Sequence, residues 1–419
     1  MSFADVGYRF RYMEWAKTVM EAGLPGMIDV GSSGIARVSL RELGVRLSDL
    51  ELFGPHFYGE PVMRRSIARM KSVAEERVLP VLGASYAHFL VCAALIEPGD
   101  EAIVETPGYE VLSALPRALG ARVVPLPRRF ENGFQFDPAE LRRLVTKKTR
   151  LVLVTNLHNP SGVALPSESL SALAELAGGD GTLSSRADRA GGGRARSAGR
   201  PAPGAKPKPR RGPPAWTVEA GLPVDLPAGP WVVVNEVYRD FLPKGALGEG
   251  HSLGPRGVSL GSLTKVYGLG ETRVGWIVAH PALVHRASRV GDFAVVNGPY
   301  IAERVGAIAL ARRTRLLGRT RGILRRNRPI LEAFLRATPA LRTVPTEGGT
   351  IVFPRIRGID DTAAFASSAM HRHRVCVVPG EFFGMPGHIR IGIGLADPKR
   401  LAEGLRRLGA AIAGIPAAR

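Results

Sequence analysis

The chain contains little cysteine and no long apolar run. Only Cys92 and Cys376 occur among its 419 residues, far apart and without the spacing of a zinc site or a disulfide framework. Free thiols of this kind are typical of a reducing, cytoplasmic setting. No apolar stretch is long enough to span a bilayer, and Met1 to Lys17 lacks the apolar block of a signal peptide. We therefore expect a cytoplasmic protein with no membrane contact.

Acidic residues are scarce relative to basic ones, which gives a formal net charge of +20. Such a charge is common in nucleic-acid-binding proteins, but no helix-turn-helix or zinc-finger pattern accompanies it. Nine of the basic residues fall between Asp180 and Val218, and the others are spread along the chain. Solvated, arginine-rich surfaces therefore explain the charge better than a nucleic-acid partner. His371 and His373 lie close together without a third ligand, so we expect no metal site.

A long tract at residues 178–227 is rich in glycine, proline, alanine and arginine and poor in apolar side chains. It cannot bury enough apolar surface to offset the entropy lost on ordering, which predicts a disordered insertion. It lies between a predicted helix, Ser167 to Ala177, and a predicted strand, Trp231 to Val234, and so at the sheet edge opposite the ligands. A neutral insertion is favoured over a nucleic-acid tail or a partner-binding loop.

Strand and helix patterns alternate along most of the remaining chain. Short apolar runs that favour strands, such as Ala102 to Glu105 and Leu151 to Thr155, alternate with segments of helical spacing. Repeated units of this kind predict an α/β fold with a three-layer, mainly parallel sheet. Beyond about residue 315 the pattern becomes helices beside short strands, including Val375 to Val378 and Ile389 to Ile393, which predicts a smaller α+β domain.

One loop carries the chemistry that distinguishes the sequence. An apolar strand ends in the hydroxyl-rich run Ser262-Leu263-Thr264-Lys265, and Arg273 follows eight residues after the lysine. A lysine amine forms Schiff bases with carbonyl groups, including the aldehyde of pyridoxal phosphate (PLP). A planar guanidinium suits a phosphate, and Ser262 and Thr264 can donate hydroxyl hydrogen bonds to the same group. The alternative is a solvated surface lysine on a loop.

Two further motifs follow predicted strands. Gly83-Ala84-Ser85 opens a helix directly after an apolar strand, and the free N–H groups of that helix start form an anion site. The loop around Asn159 follows the carboxyl end of another strand. Open α/β sheets bind ligands at that end of their strands, so we expect both motifs to line one site.

These motifs, together with the run Arg273-x-Gly275-Trp276, resemble the signatures of class I/II aminotransferases, PLP-dependent enzymes of the aspartate aminotransferase fold (fold type I). The resemblance covers about residues 25–177 and 228–410. It implies that Lys265 holds PLP and moves the substrate proton, with an amino acid and a 2-oxo acid as substrates. It also implies a homodimer with shared active sites, and two domains: a large PLP-binding domain at 50–315 and a small domain formed by 1–49 plus 316–419.

The resemblance also implies roles for individual residues. The residues expected around the PLP phosphate are Gly83, Ala84, Ser85, Ser262, Thr264 and Arg273, with Tyr58 reaching the phosphate of the partner subunit. Tyr109 is expected to stack on the pyridine ring, and Asn159 and Tyr238 to contact the ring hydroxyl. Arg390 is expected to bind the substrate α-carboxylate, with Gly34 against the substrate. Four of these residues have alternative interpretations. Tyr58 is then a core or interface tyrosine, Tyr109 an unrelated loop tyrosine, Arg390 a surface arginine on a strand and Gly34 a flexible linker glycine.

Two other functions stay open at this point. The same motifs occur in PLP-dependent lyases and in cyclising synthases that act on modified amino acids. A PLP-fold protein without catalysis is the other alternative, which Asn235 and the insertion favour, whereas Lys265, Tyr238 and Arg273 oppose it. Turnover that depends on a 2-oxo acid would indicate transamination, and release of ammonia or pyruvate without an acceptor would indicate a lyase.

Asn235 departs from the family pattern. Strand Trp231 to Val234 ends in Asn235-Glu236-Val237-Tyr238, where the family has Asp-x-x-Tyr and the aspartate pairs with the protonated pyridine nitrogen. An amide can donate to an unprotonated nitrogen but cannot stabilise the cation, so a charge-assisted hydrogen bond of about 1.5–3 kcal/mol is lost. Glu236 cannot replace it, because neighbours on a strand face opposite ways.

We predict that Asn235→Asp raises the turnover rate, because a carboxylate keeps the ring nitrogen protonated and strengthens the cofactor as an electron sink. Steady-state kinetics of the two proteins at saturating PLP would measure this. An unchanged or lower rate in the variant would show that the enzyme is tuned to a neutral ring nitrogen.

Overall fold

The structure, a computed structural model, describes residues 23–54, 56–181, 225–242 and 248–414, together with Trp15, residues 17–19 and Glu21. Most of the predicted insertion at 178–227 falls on residues 182–224 and so lies outside the described residues. Within the described part of the chain, no helix is long and apolar enough to cross a membrane.

The regular elements follow the predicted alternation closely. The strands are β1 (Ile28–Asp29), β2 (Val78–Val81), β3 (Glu101–Thr106), β4 (Arg122–Pro127), β5 (Thr149–Thr155), β6 (Trp231–Asn235), β7 (Gly257–Ser262), β8 (Gly275–Val278), β9 (Leu341–Arg342), β10 (Ile351–Val352), β11 (Arg355–Ile356), β12 (Val375–Cys376), β13 (Val378–Pro379) and β14 (Ile389–Gly392). The helices are α1 (Leu40–Leu43), α2 (Pro61–Lys71), α3 (Gly83–Leu95), α4 (Glu110–Ala118), α5 (Pro138–Leu144), α6 (Ser167–Leu176), α7 (Pro281–Ala294), α8 (Tyr300–Ala311), α9 (Arg313–Ala337), α10 (Thr362–His373) and α11 (Pro398–Ala413).

In the part of the chain that the structure describes, seven strands form the central sheet, in the order β2-β8-β7-β6-β5-β3-β4. The pairs among β3, β4, β5, β6 and β7 are parallel, and β8 runs antiparallel to both β7 and β2. Strands β2 and β7 therefore point the same way. The predicted α/β fold with a mainly parallel sheet is confirmed.

Helices cover both faces of this sheet. On one face, α3 and α7 contribute Leu90 and Leu283 to an apolar cluster that also contains Val233 of β6. On the other face, α6 contributes Leu170 to a second cluster that contains the neighbouring Val232. Adjacent strand residues point to opposite faces, so both faces are apolar and the sheet is the middle layer of three.

The carboxyl-terminal part of the chain builds smaller sheets. Strands β10, β14 and β13 form an antiparallel sheet, and β1 pairs in parallel with β12, which places Ile28 opposite Val375. The single strand expected from Val375 to Val378 is wrong, because the chain passes at Val377 from pairing with β1 to pairing with β14. An apolar cluster joins Ile28 and Val30 to residues of 331–412. The domain limits 50–315, 1–49 and 316–419 stay predictions.

Candidate active site

Among the described residues, six strands (β2, β3, β4, β5, β6 and β7) end at the same edge of the central sheet, and five of them are followed by loops that carry predicted residues. Because β2, β3, β5, β6 and β7 point the same way, their last residues, Val81, Thr106, Thr155, Asn235 and Ser262, lie along that edge. The loops that follow these strands carry most of the residues predicted from the sequence. The fold therefore brings motifs from distant parts of the chain to one place.

The lysine loop follows β7 directly. Gly261 of β7 pairs with Trp276 of β8, and a Cβ on Gly261 would collide with the indole ring. Glycine is needed there because the ring crosses the strand at that point. Beyond it, the Ser262 hydroxyl oxygen accepts a hydrogen bond from the Thr264 backbone N–H at 3.3 Å. This turn presents Lys265.

Lys265 and Tyr238 meet at one hydroxyl group, that of Ser33. Nζ of Lys265 donates to Ser33 Oγ at 3.1 Å, and the Tyr238 hydroxyl donates to the same oxygen at 3.0 Å. Ser33 is buried, and its carbonyl oxygen accepts from Oγ1 of Thr350 at 2.7 Å. The predicted Gly34 comes next, and a Cβ on it would lie 3.9 Å from the Cδ and from the carbonyl oxygen of Lys265. Sequence reasoning missed Ser33, although it adjoins Gly34 in the same turn.

A glycine helix start lies beside a guanidinium group. Gly83 has φ +76°, and a Cβ on it would lie 2.7 Å from Nη2 of Arg273. Ala84 and Ser85 complete the first turn of α3. A Cβ on Gly275 would lie 2.6 Å from the Gly83 Cα, so the two glycines let the backbones approach. Free N–H groups and an arginine at a site without side-chain bulk fit the phosphate of PLP.

Arg390 is buried between two segments of the chain. Its Nε and Nη2 donate to the Gly31 carbonyl oxygen at 3.2 and 3.0 Å, and its Nη1 donates to Asn159 Oδ1 at 3.0 Å. Its guanidinium also lies 5.2 Å from the ring centroid of Phe383. Because Asn159 Oδ1 accepts from Arg390, the amide nitrogen of Asn159 remains available as a donor.

The end of β6 separates a neutral side chain from a charged one. The amide nitrogen of Asn235 lies 3.2 Å from Nε2 of His88, a residue of α3 that sequence reasoning missed. The carboxylate of Glu236 instead accepts from Nζ of Lys71 at 2.7 Å. The two neighbours face opposite ways, as strand geometry requires. His88 could have been noticed as the one ionisable side chain within the apolar stretch Ala87 to Leu95 of that helix, apart from Cys92.

The loops that carry Tyr109 and Asn159 are joined by a buried histidine. Nε2 of His158 lies 2.8 Å from the Pro107 carbonyl oxygen, and Nδ1 lies 2.6 Å from Ser161 Oγ. Since a carbonyl only accepts, Nε2 carries the proton and donates. Burial holds the pKa of His158 well below its usual value of 6.5, so the ring stays neutral. His158 thus hydrogen-bonds the loop of Asn159 to the loop of Tyr109.

Tyr58 lies at a different surface. Its hydroxyl donates to Asp292 Oδ2 at 3.1 Å and accepts from Nη1 of Arg289 at 3.0 Å, both on α7. Burial raises its pKa above the usual value of 10. The structure brings together Lys265 and Tyr238, and separately Arg390 and Asn159, but it places Tyr58 against α7.

A family model described as aminotransferase class I and II matches residues 48–183 and 227–408 of the chain. An arginine–pyruvate transaminase from Pseudomonas aeruginosa is 31% identical over 84% of this chain and 80% of its own length. A capreomycidine synthase from Streptomyces vinaceus is 31% identical over 90% of this chain and 87% of its own.

Solved structures agree with these sequence matches. A PLP-dependent aminotransferase from Streptococcus suis superimposes with a TM-score of 0.80 at 24% identity, covering 98% of this chain and 99% of the other. The PLP-dependent cyclase OrfR gives a TM-score of 0.76 at 26% identity and covers 96% of each chain. Members of the matched family use PLP, and the helix start beside Arg273 fits that cofactor. The chain therefore belongs to the class I and II aminotransferases and is a PLP-dependent enzyme that transfers an amino group between an amino acid and a 2-oxo acid.

Proposed function

We propose that Lys265 is the catalytic residue and that Ser33 positions its amine. The observation that carries this proposal is the convergence of Lys265 Nζ and the Tyr238 hydroxyl on Ser33 Oγ. PLP, when bound, supplies an electron-withdrawing ring that stabilises the negative charge developing at the substrate Cα. Lys265 Nζ takes the proton from that carbon as general base. A buried hydroxyl that holds the free amine keeps it in one place for this transfer.

Binding of the substrate carboxylate is assigned to Arg390. Its guanidinium is held by Gly31 and Asn159, and a planar guanidinium can present two N–H donors to a carboxylate. The turn at Gly34 lies next to Lys265 and closes the same side of the site. The α-carboxylate and the reacting Cα would then be fixed by groups on rigid elements, which supports a single binding orientation.

The remaining site residues are assigned to three parts of PLP, namely its phosphate, its ring substituents and its ring face. The phosphate is assigned to a group of backbone and side-chain donors at two loop starts, namely Gly83, Ala84, Ser85, Ser262, Thr264 and Arg273. Asn159 and Tyr238 are assigned to the ring hydroxyl, and Asn235 to the ring nitrogen. Tyr109 packs against the apolar cluster of the α3 face and is assigned to the ring face.

Arginine with pyruvate is the substrate pair to test first. This choice rests on the arginine–pyruvate transaminase, which matches most of this chain at 31% identity. A cyclising synthase is the second candidate, because a capreomycidine synthase matches at the same identity and the cyclase OrfR shares the fold. The two functions differ in one requirement: transamination needs a 2-oxo acid acceptor and cyclisation does not.

We further propose a homodimer formed through one apolar surface. The side chains of Phe53 and Phe293 are 84% and 95% exposed, and Leu52, Phe57 and Val296 are also exposed. The two segments adjoin, because Gly54 packs against the ring of Tyr300 and Tyr58 bonds to Asp292. Burying one such phenylalanine contributes about 1.5–3 kcal/mol. Tyr58 borders this surface, which supports its assignment to the active site of the partner subunit.

The state of the two cysteines is relevant to the redox environment of the enzyme. Cys92 and Cys376 are both free and buried. Burial raises the pKa of the Cys92 thiol to about 12, so it stays protonated and unreactive. Free thiols of this kind support the proposal of a reducing, cytoplasmic setting.

Borohydride reduction tests the role of Lys265. The wild-type protein with PLP should show a near-visible absorption band that borohydride removes, leaving the cofactor covalently attached to Lys265. Lys265→Ala should lose this attachment and lower the rate of arginine-dependent pyruvate consumption by at least about a thousandfold. Lys399→Ala, at an exposed lysine, is the matched control. Cofactor attached to another lysine after reduction would contradict the assignment. Product formed from arginine without pyruvate would favour the cyclising synthase.

Ser33→Ala tests the positioning hydroxyl. Removing Oγ frees the amine of Lys265 and the hydroxyl of Tyr238, so we expect kcat to fall about tenfold with little change in KM. Ser32→Ala is the matched control, because Ser32 is the exposed neighbour in the same turn. Equal kinetics for the two variants would remove Ser33 from the mechanism.

Light scattering after gel filtration tests the dimer. The wild-type chain should elute as a dimer, and the double variant Phe53→Glu, Phe293→Glu should be monomeric at micromolar concentration, because two buried charges oppose association. Arg325→Glu, on the exposed side of α9, should leave the dimer intact. A monomeric wild-type chain would refute the proposed interface.

A further inference from the structure

Asn235 has a partner inside the core that no family motif accounts for. Its amide nitrogen lies 3.2 Å from Nε2 of His88, and both side chains are buried. His88 lies in the second turn of α3, the helix whose first turn is assigned to the cofactor phosphate. One helix therefore reaches both the phosphate site and the residue assigned to the ring nitrogen.

The hydrogen bonds fix the orientation of the Asn235 amide. Its Oδ1 accepts from the Val237 backbone N–H at 3.2 Å. If the amide were turned round, its NH₂ group would face that N–H, and two donors would meet. The amide nitrogen therefore faces His88, and Nε2 of His88 must be the acceptor.

His88 is consequently a neutral ring with its proton on Nδ1. A protonated ring would present a donor to the amide nitrogen of Asn235, which is itself a donor. Burial acts in the same direction, because it lowers the pKa of His88 to about 4. Among the described residues, Nδ1 of His88 has no hydrogen-bond partner. The ring therefore acts on the site through the hydrogen bond that its Nε2 accepts from Asn235.

The carboxylate next along the chain is held elsewhere. Glu236 accepts from Nζ of Lys71 at 2.7 Å, from the Gly250 N–H at 2.6 Å and from the Ser259 hydroxyl at 2.8 Å. All these contacts lie on the face of β6 opposite to Asn235. The end of β6 and the second turn of α3 thus present an amide and a neutral imidazole, respectively, to the proposed cofactor side.

We propose that His88 is a positioning residue that accepts one N–H of the Asn235 amide and leaves the other N–H as the donor for an unprotonated ring nitrogen of PLP. This inference rests on the proposed role of Asn235 at that nitrogen. A protonated pyridine would place a buried positive charge beside two neutral groups, which is costly without a carboxylate. The pair therefore selects the neutral form of the cofactor ring, which is a weaker electron sink than the protonated form, so a rise in turnover rate in Asn235→Asp is compatible with this role.

Ring-labelled cofactor gives a direct test. The apoprotein is reconstituted with PLP carrying ¹⁵N in the pyridine ring, and the ring-nitrogen resonance and the dissociation constant of PLP are measured. Wild type should show the resonance of an unprotonated pyridine at neutral pH. His88→Leu should raise the dissociation constant about tenfold and shift or broaden the resonance, because the amide loses its acceptor. Asn235→Asp should give the resonance of a protonated ring.

Two matched variants separate positioning from folding. His88→Gln supplies a side-chain oxygen that can accept from Asn235, and it should bring the dissociation constant back to within about threefold of wild type. Cys92→Ala removes a buried, apolar-packed group one turn further along α3. It should lower the melting temperature without changing the dissociation constant or the resonance.

Either of two results would overturn the proposal. One is a protonated ring nitrogen in wild type, and the other is a folded His88→Leu protein with the wild-type resonance and PLP affinity. Failure of the underlying function is distinguishable, because borohydride would then attach no cofactor to Lys265 of the wild-type protein.

Discussion

The site depends on one constraint, the common direction of six strands in the central sheet, five of which precede loops of the site. Strands β2, β3, β5, β6 and β7 end at one edge, so each loop that follows contributes to the same volume. The antiparallel β8 returns between β2 and β7 and brings Gly275 against Gly83. That contact places the start of α3 next to the lysine loop. The proposed phosphate site and the lysine loop thus both depend on the position of β8, and a shift of that strand would disturb both.

Charge is distributed unevenly around this edge. Buried ions lie in the supporting structure, where Glu105 contacts Arg128 at 2.7 Å and Glu236 contacts Lys71 at 2.7 Å. Removing one partner of such a pair costs about 3–5 kcal/mol, because the other charge remains buried. Asn235 and His88, which meet at the end of β6, are by contrast neutral. Ionic pairs therefore stabilise the supporting elements, whereas the proposed contact with the ring nitrogen is made by an uncharged pair.

Strands and motifs that depend on a local sequence pattern could be predicted from the sequence. The strands around Val152, Val233 and Leu260 are continuous apolar runs, and the motifs at Lys265 and Asn159 lie where those runs end. Ser33 and His88 were not predictable in the same way. Ser33 contacts Lys265 across 232 residues of sequence, and His88 contacts Asn235 across 147. Only the tertiary fold creates these pairs, and neither residue belongs to a spacing that signals its partner.

The described residues on either side of the proposed insertion at 178–227 lie far from the edge that carries Lys265. Arg256 donates from Nε to the Pro230 carbonyl oxygen at 3.0 Å and from Nη2 to that of Leu176 at 2.8 Å. Leu176 ends α6, and Pro230 and Arg256 directly precede β6 and β7. The described chain therefore leaves and rejoins the sheet at the amino-terminal ends of β6 and β7, where Arg256 hydrogen-bonds to both sides of the tract. Asn235 and the lysine loop lie at the other ends of those same strands. An addition between Gly181 and Asp225 therefore leaves the spacing of the catalytic edge unchanged.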